Sequence, residues 1–329
     1  MIPRRADAVV VRRSAGGYGS SVRWKRGRGR DQIEDRRGQA PARGGGGFGG
    51  VFGGGGGGRG FPIPLPRSRT GGLSVGGIVI TLIVLGVIWF SGGFGGGSGS
   101  PGQPVASGGA IVSGAPDPEA DLVDFVGFVV DDVQDFWRAD LRSDGRTYET
   151  TKIVLFRQST ESGCGIADEQ TGPFYCPADH KVYLDLGFFD QLVGEFQAPG
   201  DFAQAYVIAH EFGHHVQTLL GTEERVQREM QQHPSEASEL SVRLELQADC
   251  YAGVWAHHAY QNEELEKGDL DEALRAAAAV GDDRIQRAAG QRVNPETWTH
   301  GSAAQRSQWL RTGFSSGDPR SCDTFSASI

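Results

Sequence analysis

A short motif in the second half of the chain has the residue types and the spacing of a zinc site. Residues 210–214 read His-Glu-Phe-Gly-His, which is the pattern HExxH. Histidines four positions apart share one face of a helix, so His210 and His214 can both bind one Zn²⁺ ion. Glu211 follows the first ligand directly and can act as general base on a water that the metal activates. The motif predicts a hydrolytic zinc centre rather than a pair of ordinary surface histidines.

A catalytic zinc ion takes three protein ligands, and the third is expected on a later helix. Glu245 and Asp249 are four residues apart and lie among apolar neighbours. We predict that Glu245 is the third ligand and that Asp249 accepts the outer N–H of a ligating histidine. Asp249 itself or His257 is the alternative third ligand. His215 points away from the ligand face, so a structural or supporting role is expected for it.

Apolar periodicity predicts the elements that carry these residues. Helices are expected over 119–142, 188–196, 201–220, 222–232, 235–261, 270–289 and 302–313. Strands are expected over 148–156 and 181–186. The predicted fold class is α+β, mostly helical with a small β-sheet. In the helix that carries the motif, Gly213 leaves room for another backbone or a substrate to pass close by.

Composition divides the chain into four parts. Of the 51 glycines, 33 precede residue 110, and residues 1–72 carry a net charge of +11 against −20 for the remainder. We predict a disordered basic arm over 1–72 and a Gly/Ser/Pro linker over 91–116, because neither can bury enough apolar surface to fold. A globular domain is expected over 117–329.

The segment between arm and linker has the composition of a membrane helix. Residues 73–90 carry no charge and, as a helix, would reach about 27 Å, close to the thickness of a bilayer core. A signal peptide or a buried core helix fits less well, since some seventy residues precede the segment and glycine tracts flank it. Arginines are concentrated on the N-terminal side of this segment, and positively charged flanks usually stay in the cytoplasm. The prediction is a single-pass membrane protein with a cytoplasmic arm and an extracytoplasmic domain.

The cysteines agree with an extracytoplasmic domain. All four follow the apolar segment, and an even number suits an oxidising compartment. We favour pairing Cys164 with Cys176 across a short loop, and Cys250 with Cys322. The other pairings and a four-cysteine zinc site stay open, although the spacing of the cysteines is not that of such a site.

The arginine-rich stretch over 22–38 allows two interpretations. It could bind RNA, or it could supply topological charge and attraction to anionic lipid. True Arg-Gly-Gly repeats and interleaved aromatics are missing from it, so the lipid bilayer is the expected partner and nucleic acid is not.

Several further motifs accompany the zinc pattern. They are WKRGRGRDQIEDRRG (24–38), CGIADEQTGPFYCPADHKVYLDLGFFDQL (164–192), YVIAHEFGHHVQ (206–217), LELQADCYAGVWAHH (244–258) and THGSAAQRSQWLRTGF (299–314). Together they resemble the bacterial neutral zinc metallopeptidase family, with the HExxH and ExxxD pattern of gluzincins. The first twenty-one residues and the long glycine tract depart from the family pattern.

The resemblance implies a zincin-like fold, a Zn²⁺ cofactor and a peptide or protein substrate. It also implies that Lys181–Leu186 is a strand that pairs with extended substrate. His300, near Arg306, resembles an oxyanion-stabilising histidine, with Tyr183 a weaker candidate for that role. His300 could instead cap the helix that begins near Ser302.

Two functions therefore compete. One is a membrane-anchored zinc endopeptidase in which Glu211 is the general base that takes a proton from the attacking water. The other is a non-catalytic zinc-binding envelope module, against which the presence of Glu211 speaks, since a structural zinc site needs no base. The sequence indicates no oligomeric state.

Overall fold

The computed structural model describes residues 23–24, 29–39, 116–169 and 171–329. The predicted membrane helix over 73–90 and nearly all of the predicted linker over 91–116 lie outside these ranges. Within them, no helix has both the length and the apolar composition that a membrane crossing requires.

The described residues fold into a mostly helical α+β structure. Its helices are α1 (Ala120–Ser143), α2 (Gly187–Gly194), α3 (Asp201–Leu219), α4 (Thr222–Gln232), α5 (Ala237–Gln261), α6 (Asp269–Ala279), α7 (Asp282–Ala288) and α8 (Ala303–Ser316). Helix α3 contacts α1, α5, α6 and the sheet. Most of its residues are buried, so the element that carries the HExxH motif lies at the centre of the core.

The strands form a four-stranded sheet and a hairpin. They are β1 (Ile33–Asp35), β2 (Ile153–Phe156), β3 (Ser159–Ser162), β4 (Gly165–Asp168), β5 (Phe174–Cys176) and β6 (Lys181–Asp185). The sheet order is β1-β2-β6-β5, with β5 antiparallel to β6 and the other pairs parallel. Strand β2 reads IVLF and is buried along its whole length, as apolar and β-branched residues favour.

Strand β1 corrects the prediction that the whole of residues 1–72 is disordered. Residues 29–39 are ordered, and β1 pairs in parallel with β2. The prediction failed here because a three-residue strand in an arginine-rich stretch has no apolar alternation. Its partners lie more than a hundred residues away, where local sequence does not reveal them.

Two other predictions need correction. Residues 270–289 form two helices, α6 and α7, with a break at Val280 and Gly281. A Cβ on Gly281 would lie 2.3 Å from the backbone nitrogen of Ala303, so the chain bends where it meets the start of α8. Strand β6, predicted to pair with substrate, is an interior strand between β2 and β5. Its two edges are already occupied, so the substrate-binding role implied for Lys181–Leu186 is wrong.

Glycines let the helices around the motif pack backbone to backbone. A Cβ on Gly213 would lie 3.1 Å from Cα of Ala248, so the space that glycine leaves in α3 is filled by α5. At the crossing of α5 and α8, a Cβ on Gly313 would lie 1.9 Å from the carbonyl oxygen of Cys250. These approaches bring α3, α5 and α8 together and aim their side chains at one point.

Candidate metal centre

Three side chains from α3 and α5 converge in the wall of a cleft. Nε2 of His210 lies 3.3 Å from Nε2 of His214 and 3.2 Å from Oε2 of Glu245. Nε2 of His214 lies 3.5 Å from Oε1 of Glu245. The structure thus brings together the three residues predicted as ligands, and they form one of two groups among the described residues that could hold a metal ion.

The spacing of these atoms fits zinc. Ligand atoms about 2.05 Å from a tetrahedral zinc ion lie about 3.3 Å from one another. The three observed separations, 3.2, 3.3 and 3.5 Å, match that value. Two imidazoles and one carboxylate are also the donor set of a catalytic zinc site, which leaves the fourth position to water or substrate.

Each histidine is oriented through its other ring nitrogen. Nδ1 of His210 lies 2.9 Å from Oδ1 of Asp249, and Nδ1 of His214 lies 2.9 Å from Oε1 of Gln217. Since a carboxylate and an amide oxygen accept hydrogen bonds, both Nδ1 atoms are assigned as donors. That tautomer leaves Nε2 of each ring with a lone pair for a metal. Asp249 therefore occupies its predicted place behind a ligand.

Asp249 is itself held by two side chains that are also buried. Arg306 donates to both of its carboxylate oxygens, from Nε at 2.8 Å and from Nη2 at 2.9 Å. The hydroxyl of Tyr206 donates to Oδ1 at 2.5 Å. Burial alone would raise the pKa of Asp249, but Arg306 and His210 outweigh it and lower that pKa. Asp249 is ionised and fixed behind His210.

Glu211 lines the same cleft as the three ligand candidates. The cleft has a volume of about 680 Å³. Much of its wall is apolar, formed by side chains that include Phe174, Phe188, Phe196, Val207 and Leu244. Burial raises the pKa of Glu211, although His210 and His214 act in the opposite direction. A raised pKa brings the carboxylate closer to the proton affinity that suits a general base at neutral pH.

His300 lies on the wall of the cleft and is anchored by Asp282. Its Nδ1 lies 3.2 Å from Oδ1 of Asp282. The other oxygen of Asp282 accepts the backbone N–H groups of Thr299, His300 and Gly301. The alternative that His300 caps α8 is wrong, because Ser302 is the N-cap and forms a capping box with Gln305.

The remaining candidate side chains lie elsewhere. His215 is buried against the hydroxyl of Tyr175 and the carbonyl oxygen of Glu149, and burial lowers its pKa to about 4. His257 contacts the carbonyl oxygen of Phe314. Tyr183 is also buried, and its hydroxyl donates to Asp179 at 2.6 Å, so the structure does not bring it to the cleft.

The four cysteines form two disulfides. Cys164 is bonded to Cys176, and Cys250 to Cys322. This is the pairing that the sequence analysis favours, and it rules out the four-cysteine zinc site.

Comparison with known proteins agrees with this geometry. The family model described as "Putative neutral zinc metallopeptidase" matches residues 22–325. The chain belongs to this family. Because the family is one of zinc peptidases, Zn²⁺ is the cofactor that the site is built to hold.

The relatives carry no functional description. The Escherichia coli K12 protein named "Uncharacterized protein YpfJ" is 43% identical over 312 residues, covering 94% of this chain and 100% of the relative. The Mycobacterium tuberculosis H37Rv protein named "Uncharacterized protein Rv2575" is 50% identical over 191 residues, which cover 55% of this chain and 64% of the relative. No solved structure matches the chain.

Sequence reasoning missed Gln217 and Asp282 and gave Arg306 no separate role. Gln217 could have been found, because it lies three residues after His214 and so shares its helix face. Asp282 gives no local signal, since eighteen residues separate it from His300. The partnership of Arg306 with Asp249 depends on the crossing of α5 and α8, which local sequence does not reveal.

Proposed function

We propose that this protein is a zinc-dependent peptidase that hydrolyses peptide bonds. The observation that carries the proposal is the convergence of His210, His214 and Glu245 at tetrahedral zinc spacing in the cleft that Glu211 also lines. A non-catalytic zinc module would need neither a buried carboxylate beside the ligands nor an open cleft.

Each side chain has a part in the hydrolysis. His210, His214 and Glu245 would hold zinc, and Asp249 and Gln217 fix the tautomers of the two histidines. When bound, zinc supplies Lewis acidity, which polarises a carbonyl and lowers the pKa of water toward about 7. Glu211 takes a proton from the attacking water and passes it to the leaving amine.

His300 also lines the cleft and completes the site. Its Nδ1 donates to Asp282. Burial would lower the pKa of His300, but the carboxylates of Glu245 and Asp282 outweigh it and raise that pKa, which favours the protonated ring, in which Nε2 is a donor as well. A donor there can stabilise the negative charge that develops on the carbonyl oxygen of the substrate.

Strand β5 is the element best placed to bind extended substrate. It lies at the edge of the sheet, and Phe174 and Tyr175 line the cleft. An edge strand offers unpaired backbone groups to a peptide, which would add to the sheet as a further strand. Substrate is thus expected on β5, not on β6. We also propose that the overall fold is zincin-like.

The peptidase domain would act in an extracytoplasmic compartment. Its two disulfides persist in oxidising surroundings and are rare in the cytosol. Attachment of the chain to the membrane through residues 73–90 remains a prediction of their composition.

The proposal is tested by chelation and reconstitution. The purified full chain is loaded with one equivalent of zinc and incubated with a peptide library, and the products are read by mass spectrometry. We expect cleavage that a chelator abolishes and added zinc restores. Tight, stoichiometric zinc with no cleavage of any peptide would favour the non-catalytic module.

A further inference from the structure

Residues 29–39, here called the docked segment, are part of the same folded unit as the peptidase domain. Strand β1 within it pairs with β2 in a defined register, with Ile33 opposite Ile153 and Asp35 opposite Leu155. The pairing continues past the strand, since the N–H of Arg36 donates to the carbonyl oxygen of Leu155 at 2.7 Å. The docked segment thus covers an edge of the sheet that would otherwise be open.

Buried charge fixes the docked segment to the domain. The side chain of Arg37 is only 4% exposed. Its guanidinium lies 2.8 Å from Asp117 and 2.9 Å from Glu119, and it also pairs with Asp35 of its own segment. A cation withdrawn from water is stable only among such partners, so the arrangement is specific to this position.

Other charges of the docked segment meet the domain at different points. Glu34 accepts from Nζ of Lys181, on β6, at 2.7 Å. Arg30 pairs with Asp124, on α1. The contacts therefore extend along the segment and reach two separate elements of the domain.

A second contact precedes the docked segment. The N–H of Arg23 donates to the carbonyl oxygen of Glu264 at 2.8 Å. The ring of Trp24 packs edge-on against Phe125, with 5.9 Å between ring centroids. The chain before residue 40 is thus attached to the domain at two places.

These contacts conflict with a single membrane crossing between residues 39 and 116. A bilayer core is about 30 Å thick, whereas the polar contacts above join atoms about 3 Å apart. We propose that the docked segment and residues 116–329 lie on the same side of the membrane. The domain's disulfides make that shared side the oxidising one. The proposal replaces the orientation expected from the arginines that precede residue 73.

Thiol labelling in the full-length protein tests this placement. All four native cysteines are paired, so each single-cysteine variant carries one free thiol. Gly38→Cys places it at the end of the docked segment, where a Cβ would meet no atom within 4 Å. Ser315→Cys places it on the exposed surface of α8. Spheroplasts that express either variant are treated with a membrane-impermeant maleimide before and after lysis. Asp31→Cys, also exposed, serves as a second reporter in the docked segment.

The expected result is the same labelled fraction for Gly38→Cys, Asp31→Cys and Ser315→Cys in intact spheroplasts, with no increase after lysis. Equal protection of all three until lysis would also place them on one side and would overturn only the oxidising assignment. Labelling of Ser315→Cys in intact spheroplasts, with both reporters of the docked segment labelled only after lysis, would overturn the proposal.

Discussion

Nδ1 of His210 and Oδ1 of Asp249 lie 2.9 Å apart in the interior of the protein, one on α3 and the other on α5. The contact orients Nε2 of His210 toward Glu245. It is reinforced from behind by Arg306, which donates to both oxygens of the carboxylate. The position of a ligand atom therefore depends on a side chain of the last helix, α8.

Removing this support should weaken zinc binding without removing a ligand. Asp249→Asn is expected to lower zinc affinity about 10–100-fold, the usual effect of losing a partner that orients a ligating histidine. Affinity is measured by competition with a chelator. Gln217→Leu, which leaves no charge unpaired, should weaken binding at His214 in the same way. Asp271→Asn, on the exposed surface of α6, is the matched control. Unchanged affinity in both site variants would contradict this role.

Substitutions of Glu245 and of His215 should have different effects, the first on zinc binding and the second on the stability of the fold. Glu245→Ala is expected to lose stoichiometric zinc, because one of three ligands is gone. His215→Ala should keep its zinc but lower the free energy of unfolding by about 2–4 kcal/mol, since a buried ring with two hydrogen bonds is removed. Metal analysis and chemical denaturation give the two quantities. Zinc retained by the first variant and lost by the second would reverse the assignment.

Substitution of His300 should lower the turnover rate and leave the zinc content unchanged. His300→Ala is expected to reduce kcat by about 10²–10³-fold, as loss of one oxyanion donor does, with zinc stoichiometry unchanged. His300→Gln retains a donor and should recover part of the loss. Since Asp282 anchors the ring, Asp282→Asn should lower kcat by less than His300→Ala. A normal kcat in His300→Ala would mean that the residue only shapes the cleft.

The docked segment should contribute to stability through Arg37. Arg37→Ala is expected to lower the free energy of unfolding of the full chain by about 2 kcal/mol, because it removes buried hydrogen bonds between charged groups. Arg228→Ala removes an exposed pair with Glu224 and should change stability by less than about 0.5 kcal/mol. Equal effects of the two substitutions in urea denaturation would show that the docked segment adds nothing to the fold.

The contribution of Arg37 should depend on pH. Burial would raise the pKa of Asp35, but hydrogen bonds from Arg37 outweigh it and lower that pKa below 3.8. This shift stabilises the folded state above the ordinary pKa of Asp35, and the stability is lost as pH falls through the lowered value. The destabilisation by Arg37→Ala should shrink between pH 6 and about pH 3. A difference that stays constant over that range would contradict the ion pairing.

The sequence predicted the parts of the site that depend on regular helical spacing. His210 and His214 share a face of α3, and Glu245 and Asp249 share a face of α5, because residues four apart must do so on any helix. The long helices were predictable for the same reason, since their apolar residues repeat with the helical period.

What could not be predicted depends on contacts between distant parts of the chain. Arg306 reaches Asp249 only because Gly313 lets α8 lie against α5. Asp282 meets His300 only because the chain breaks between α6 and α7. Strand β1 has too few residues to show a period, and its pairing with β2 is set by charges such as Arg37 whose partners are far away in sequence.

The most direct test of the central claim is the substitution Glu211→Gln in the zinc-loaded full chain. It keeps the size of the side chain and all three zinc ligands but removes the carboxylate that takes the proton. The account predicts one zinc ion per chain in both proteins, with peptide hydrolysis lost only in the variant, by about 10²-fold or more. Wild-type rates of hydrolysis in Glu211→Gln, with zinc still bound, would contradict it.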